Sequence, residues 1–215
     1  MTRSAPGSIL FGAGLALSFA TMAAAGDIRT LTVGEPVTTL SHHGYGDLAC
    51  LGPDGAPVAH VSEWSAVLEC PADAAGLRTV RVYYDDAAQE WISVNDKWGG
   101  TRVAGHPVEL TVRVDADGVL ETLAVRTDPE ARQYMHKKAF LLGNKVKSHY
   151  GWQGWQCSVG QPSAERREVG GTFVDERCEK VTDGREIVLQ TQLYRDAADD
   201  VVNATSFEVK RRPQS

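Results

Sequence analysis

From Val108 to Val114 the chain reads VELTVRV, with Val108, Leu110, Val112 and Val114 alternating against Glu109, Thr111 and Arg113. Successive side chains of a strand point to opposite faces, so this pattern predicts a strand with one dry and one wet face. Asp115-Ala116-Asp117-Gly118 supplies turn residues, and Val119, Glu121, Leu123 and Val125 return along a second run. Together they predict an antiparallel hairpin. Comparable alternation marks Thr79–Tyr84, with Val80, Val82 and Tyr84 on one face, and Glu186–Tyr194, with Ile187, Leu189 and Leu193 inward. A polar turn at Arg195–Asp200 leads to a terminal strand at Ser206–Val209, and Asp27–Val33 reads as a short strand or an extended lead-in.

Helical spacing is scarcer. Val33, Val37 and Leu40 fall at i, i+4 and i+7, which predicts a short helix with Pro36 in its first turn. A second helix is expected to open at Thr127-Asp128-Pro129-Glu130, where Asp128 can cap, Pro129 suits the first helical position and Glu130 complements the positive helix end. Ala131, Tyr134, Met135 and Leu142 share its face, and Gly143-Asn144 reads as its stop. Lys137, Lys138, Lys145 and Lys147 then fall towards its negative end, which gives them a dipole and solubility role. Gly44–Leu77 is turn-rich except for Glu63–Leu68, expected to cover the core, and Asp85–Gly105 is a long polar connection carrying Trp91 and Trp98.

Met1–Ala25 has the marks of an export leader: a basic Arg3, the apolar run Ile9–Ala20 and small residues at Ala23-Ala24-Ala25. The run is too short to span a bilayer, no cysteine follows it for lipid attachment, and no later stretch is apolar enough to cross. A periplasmic or secreted, not membrane-spanning protein is therefore expected. The formal charge of −6 argues against a nucleic-acid partner, because phosphate binding needs clustered Lys and Arg.

Cys50, Cys70, Cys157 and Cys178 all lie beyond the leader, and no C-x-x-C occurs. Four cysteines allow three pairings. Cys50 with Cys70 and Cys157 with Cys178 is the expected set, since each pair closes a loop of similar length within its own half. The order helical segment, cysteine loop, strands then occurs twice, giving residues 26–127 and 128–215 as an N-terminal and a C-terminal half.

Two short motifs add a resemblance. Thr32-Val33-Gly34 with Leu40 and Gly44 matches a helix-opening pattern, and Val114-Asp115-Ala116-Asp117-Gly118-Val119-Leu120 matches a strand turn. In these the chain resembles the tandem α+β modules of the small outer-membrane assembly lipoprotein and β-lactamase inhibitory protein type. The resemblance implies helices packed on an antiparallel sheet and a non-catalytic binding role. Glu35-Pro36 departs from the usual Met-Thr, and no binding residue carries over.

Candidate chemistry is thin. His42, His43, His60, His106, His136 and His149 form no H-x-x-x-H or H-E-x-x-H, so no metal or other cofactor is expected. There is no G-x-S-x-G, and Asp85-Asp86 and Asp199-Asp200 sit in expected turns. Aromatics carry more. Tyr150, Trp152 and Trp155 crowd the approach to Cys157, either to shield the disulfide or as a platform for a partner, and Trp91 and Trp98 offer a second anchor.

The expectation is an α+β protein of two similar halves, each a helical segment plus antiparallel sheet with one intra-half disulfide. It would work by binding rather than catalysis, with another envelope or secreted protein as partner. No oligomeric state follows from the sequence. Two alternatives remain, an envelope enzyme acting on a saccharide and a small-ligand carrier, the latter requiring an apolar cavity between the halves.

Overall fold

A computed structural model describes residues 27–42, 44–84, 101–131 and 138–212. The alternating runs become a single antiparallel sheet of ten strands. In chain order they are β1 (Tyr45–Leu51), β2 (Pro57–Val61), β3 (Arg78–Tyr84), β4 (Arg102–Val103), β5 (His106–Val114), β6 (Leu120–Thr127), β7 (Gln156–Val159), β8 (Val174–Thr182), β9 (Arg185–Arg195) and β10 (Val201–Arg211). Their spatial order is β2-β1-β3-β5-β6-β10-β9-β8-β7, with the short β4 hydrogen-bonded to β5. One helix of the described residues, α1 (Ala139–His149), packs on β9 and β10.

The hairpin forms as its pattern predicts: Val108, Leu110, Val112 and Val114 are buried, and β5 pairs with β6. Asp115 fixes the turn, its Oδ1 accepting the amides of Asp117 (2.9 Å) and Val119 (2.8 Å). A bulge between Arg113 and Val114 then shifts the return strand, so that Leu120, Leu123 and Val125 face inward. The join between the first and last parts of the chain is β6 against β10, where Val125 sits opposite Phe207 and Leu123 opposite Val209. Apolar residues from Ile28 to Val209 form one contiguous core across that join.

This corrects the expected fold class. The chain is mostly antiparallel sheet, not two halves each with a helical segment. The Val33, Val37, Leu40 spacing yields only a 3₁₀ turn at Val37–Thr39. Tertiary hydrogen bonds claim the backbone instead: Gly34 N–H donates to the Leu120 carbonyl, Leu120 N–H to Glu35, and Val37 N–H to Gly118, all at 2.8–2.9 Å. Two isolated helical turns would not have held against that competition. Asp27–Val33 is likewise a tight turn, with Ile28 and Leu31 exchanging backbone hydrogen bonds.

Where the second helix is expected to open, the described residues form a turn. Asp128 Oδ1 accepts the Glu130 amide at 2.8 Å, which makes a local turn rather than a helix cap. Tyr134, Met135 and Lys137 lie outside the described residues. Helix α1 runs straight through Gly143-Asn144, the expected stop. Gly143 serves close packing here: a Cβ added to it would lie 2.6 Å from Thr191 Oγ1 on β9. Leu142 and Val146 bury the same face of α1.

Both disulfides pair as expected, Cys50 with Cys70 and Cys157 with Cys178. The first ties β1 to the end of a second 3₁₀ turn, Trp64–Glu69, which buries Trp64 and Val67 as the Glu63–Leu68 pattern implied. The second joins directly opposed residues of β7 and β8. Among the described residues no helix is long and apolar enough to cross a membrane.

Candidate functional site

A cavity of about 480 Å³ opens between α1, the β4 turn and the segment Asp27–Arg29. Its volume falls within the roughly 300–1,000 Å³ of small-ligand sites. Ile28, Val103, Leu142, Val146 and Phe207 give it an apolar lining. Each wall has a local cause. Ala104 and Gly105 both take positive φ (51° and 76°), the requirement of a tight two-residue hairpin turn, and so fold β4 back on β5. On α1, Leu142, Lys145, Val146 and His149 fall at i, i+3, i+4 and i+7, which places all of them on the face towards the cavity. Leu142 and Val146 are buried, whereas Lys145 and His149 are exposed at the lip.

A buried polar network holds the Asp27 wall. The Asp27 side chain is 1% exposed and accepts three hydrogen bonds. Arg185 Nη1 of β9 donates to Oδ1 at 2.6 Å, Tyr150 Oη to the same oxygen at 3.1 Å, and Val33 N–H to Oδ2 at 2.8 Å. Burial, then the Asp27 charge beside it, push the Tyr150 phenol far above its ordinary value. Its proton therefore stays in place as the donor to Asp27. Arg29, two residues on, donates to the Arg102 carbonyl at 2.6 Å and lies 3.6 Å over the Tyr84 ring. Tyr84 in turn packs edge-on against Tyr45, and Tyr45 against Trp64.

Below α1, the loop that follows it is clamped by Lys180 of β8. Its ammonium donates to the carbonyls of Tyr150, Gly151 (3.0 Å) and Gln153 (2.9 Å). A cation here offsets the negative end of the helix. Lys147 of α1 pairs with Glu176 of β8 at 2.7 Å.

The aromatic residues singled out in the sequence separate. Tyr150 turns inward to Asp27 and lines the cavity. Trp155 is half-buried against the core, its Nε1 donating to the Gly151 carbonyl at 2.9 Å with Lys180 over its ring. Trp152 points the other way and is 61% exposed. These do not form one platform. Trp91 and Trp98 lie outside the described residues, as do His43, His136 and Asp85-Asp86.

Of the histidines, His60 meets Asp47 at 2.9 Å on the surface, His106 is buried under the β4 turn, and His149 reaches the cavity. Among the described residues, one group has metal-ligand types in reach of each other, Cys157, Glu176 and Cys178. Both of its sulfurs are spent in the disulfide. Asp199 pairs with Arg167 at 2.7 Å in an exposed turn, as ordinary solvated acids do. The sheet face away from α1 forms an open trough of about 600 Å³, where Arg126 pairs with Glu109 at 2.5 Å and Glu208 with nearby Lys210 at 3.0 Å.

Sequence reading missed Asp27, Arg29, Arg102, Lys145 and His149 as neighbours. A signal existed for part of this: the i, i+3, i+4, i+7 set on α1 was visible once the helix was started at Ala139. Nothing local linked Asp27 to Arg185, which are 158 positions apart. No family model, curated protein or solved structure matches the chain.

Proposed function

We propose that this chain is an exported, non-catalytic binding protein that carries a small, largely apolar ligand in the cavity beside α1. The observation that carries this reading is the cavity's construction. Asp27–Arg29 and the β4 turn supply one side, α1 and Phe207 the other. That is the apolar cavity between the two parts of the chain that a small-ligand carrier requires. The two disulfides suit an oxidising compartment, in keeping with the leader-like first residues. Glycoside hydrolysis finds less support, because its usual form needs two positioned carboxylates and the cavity brings one. Asp27 already accepts hydrogen bonds on both oxygens.

The test uses a neutral fluorescent apolar probe, N-phenyl-1-naphthylamine. Saturable one-site binding is expected, and Val146→Trp, which fills the cavity, should abolish it while the protein still unfolds cooperatively. Phe207→Leu, which enlarges it, should retain binding. Binding that survives Val146→Trp unchanged would refute the site.

A second reading, a protein partner, has its own observation. Strand β7 is a sheet edge with all its residues exposed, and it ends in Val159 at 62% exposure close in sequence to exposed Trp152. An unpaired edge is a template for strand addition, and a tryptophan is a common anchor. Trp152→Ala should then abolish capture of an envelope protein in pull-downs without lowering Tm. Unchanged capture would remove this reading.

A further inference from the structure

The Leu142, Lys145, Val146, His149 face of α1 is amphipathic within the cavity itself. Its two apolar side chains are buried and its two basic ones stand at the mouth. We infer that the cavity takes a free single-chain amphiphile with an anionic head, the chain lying against Leu142, Val146, Val103 and Phe207 and the head held by Lys145 and His149. This rests on the small-ligand reading above and specifies its ligand class.

Charge complementarity carries the argument. Asp27, the carboxylate in the lining, is neutralised by Arg185 at 2.6 Å and buried behind Tyr150. It offers no open acceptor to a cationic head. Arg29 is engaged with the Arg102 carbonyl and the Tyr84 ring. Lys147, one turn face away, is occupied by Glu176. Lys145, by contrast, has no carboxylate within ion-pair distance among the described residues, and His149 makes only an edge-on contact with the Tyr150 ring, 4.7 Å between centroids. They are one helical turn apart, so a carboxylate or phosphate between them reaches both.

One effect opposes this. His149 is at the C-terminal end of α1, where the helix dipole repels anions. Lys180 offsets part of it, since its ammonium sits on the carbonyl of Tyr150, the C-cap of α1, and on those of Gly151 and Gln153 just beyond. The dipole contribution falls off within the last turn, and Lys145 lies a full turn back. The full charge of Lys145 therefore dominates at the mouth.

The experiment compares decanoate, decanol, decyltrimethylammonium and acetate by displacement of the neutral probe from the full chain, with vesicles of anionic lipid as a further arm. Decanoate is expected to bind about tenfold tighter than decanol, the factor a charge-assisted contact at a half-wet site supplies. The cation and acetate should displace little. Lys145→Glu should erase the preference of decanoate over decanol, whereas Lys210→Glu, on the far face of the sheet, should leave it intact. Equal binding of decanoate and decanol overturns the anionic head but leaves the cavity reading standing. Failure of every chain-bearing compound overturns the cavity reading itself. Lys145-dependent sedimentation with vesicles, without binding of free decanoate, would replace the free amphiphile by a membrane surface and so overturn the inference.

Discussion

Replacing Asp27 by alanine should be among the most damaging single changes in the chain. Its carboxylate is 1% exposed and Arg185, its partner, 18% exposed, so solvent screens the pair little. The substitution leaves the guanidinium only the exposed Asp183 carboxylate, 3.8 Å away, and also leaves the Val33 amide and Tyr150 hydroxyl without their acceptor. Removing one partner of a buried ion pair costs about 3–5 kcal/mol. For a domain of this size each kcal/mol lowers Tm by about 2–4 °C, so a fall of roughly 6–20 °C is expected. Asp27→Asn keeps one acceptor oxygen, enough for Val33 N–H, but turns its amide N–H groups towards the Arg185 and Tyr150 donors, so it should cost nearly as much as alanine. Adding Arg185→Met to Asp27→Ala removes that guanidinium, and the double variant should be more stable than Asp27→Ala alone. Urea unfolding followed by tryptophan fluorescence measures all of these. A cost below about 0.5 kcal/mol for Asp27→Ala, the range of an ordinary surface change, would show that the carboxylate is solvated and the network does not exist.

Gly143→Ala should destabilise by about 1–3 kcal/mol through its clash with Thr191, and Thr191→Ala should relieve most of that, as a double-mutant cycle would show. Tyr150 is held protonated by burial and by Asp27, so the stability this contributes is complete below the ordinary tyrosine value of 10.0 and drains as pH rises above it. Between there and about pH 12, Tyr150→Phe should lose less stability than the wild type in pH-dependent urea titrations; a parallel decline would contradict the network. Tyr45, raised chiefly by burial, should account for part of the residual decline. Converting either cysteine pair to alanine should cost about 3 kcal/mol by loop-closure entropy, given sequence separations of 20 and 21. Equal Tm values with and without reductant would sink that figure.

How far these features could be read beforehand depended on whether local chemistry and tertiary packing agreed. They agree in β5, β6, β9 and the core of β10, where strict alternation meets a sheet with one buried face, and these strands were legible to within a few residues. Strand β8 hid because its inward face carries Glu176 and Lys180 beside Cys178. Those charges are satisfied by Lys147 and by the loop after α1, which no local pattern announces. Strand β2 hid behind Pro57, tolerable because β2 is an edge. The helix boundary failed at Gly143 for a related reason: glycine signals a stop when nothing packs on it, and here Thr191 packs on it. The cavity was least legible, since its walls come from segments far apart in the chain. Only the apolar and basic positions of α1 belonged to one readable stretch.

An amphiphile should enter the protein beside α1. Backbone amide shifts of the isotopically labelled protein, followed during titration with decanoate, should move most from Leu142 to His149, at Arg102–Gly105 and at Ile28, and should saturate together. Shifts centred on the outward trough around Arg126 and Ser206, or no saturable shifts at all, would contradict it.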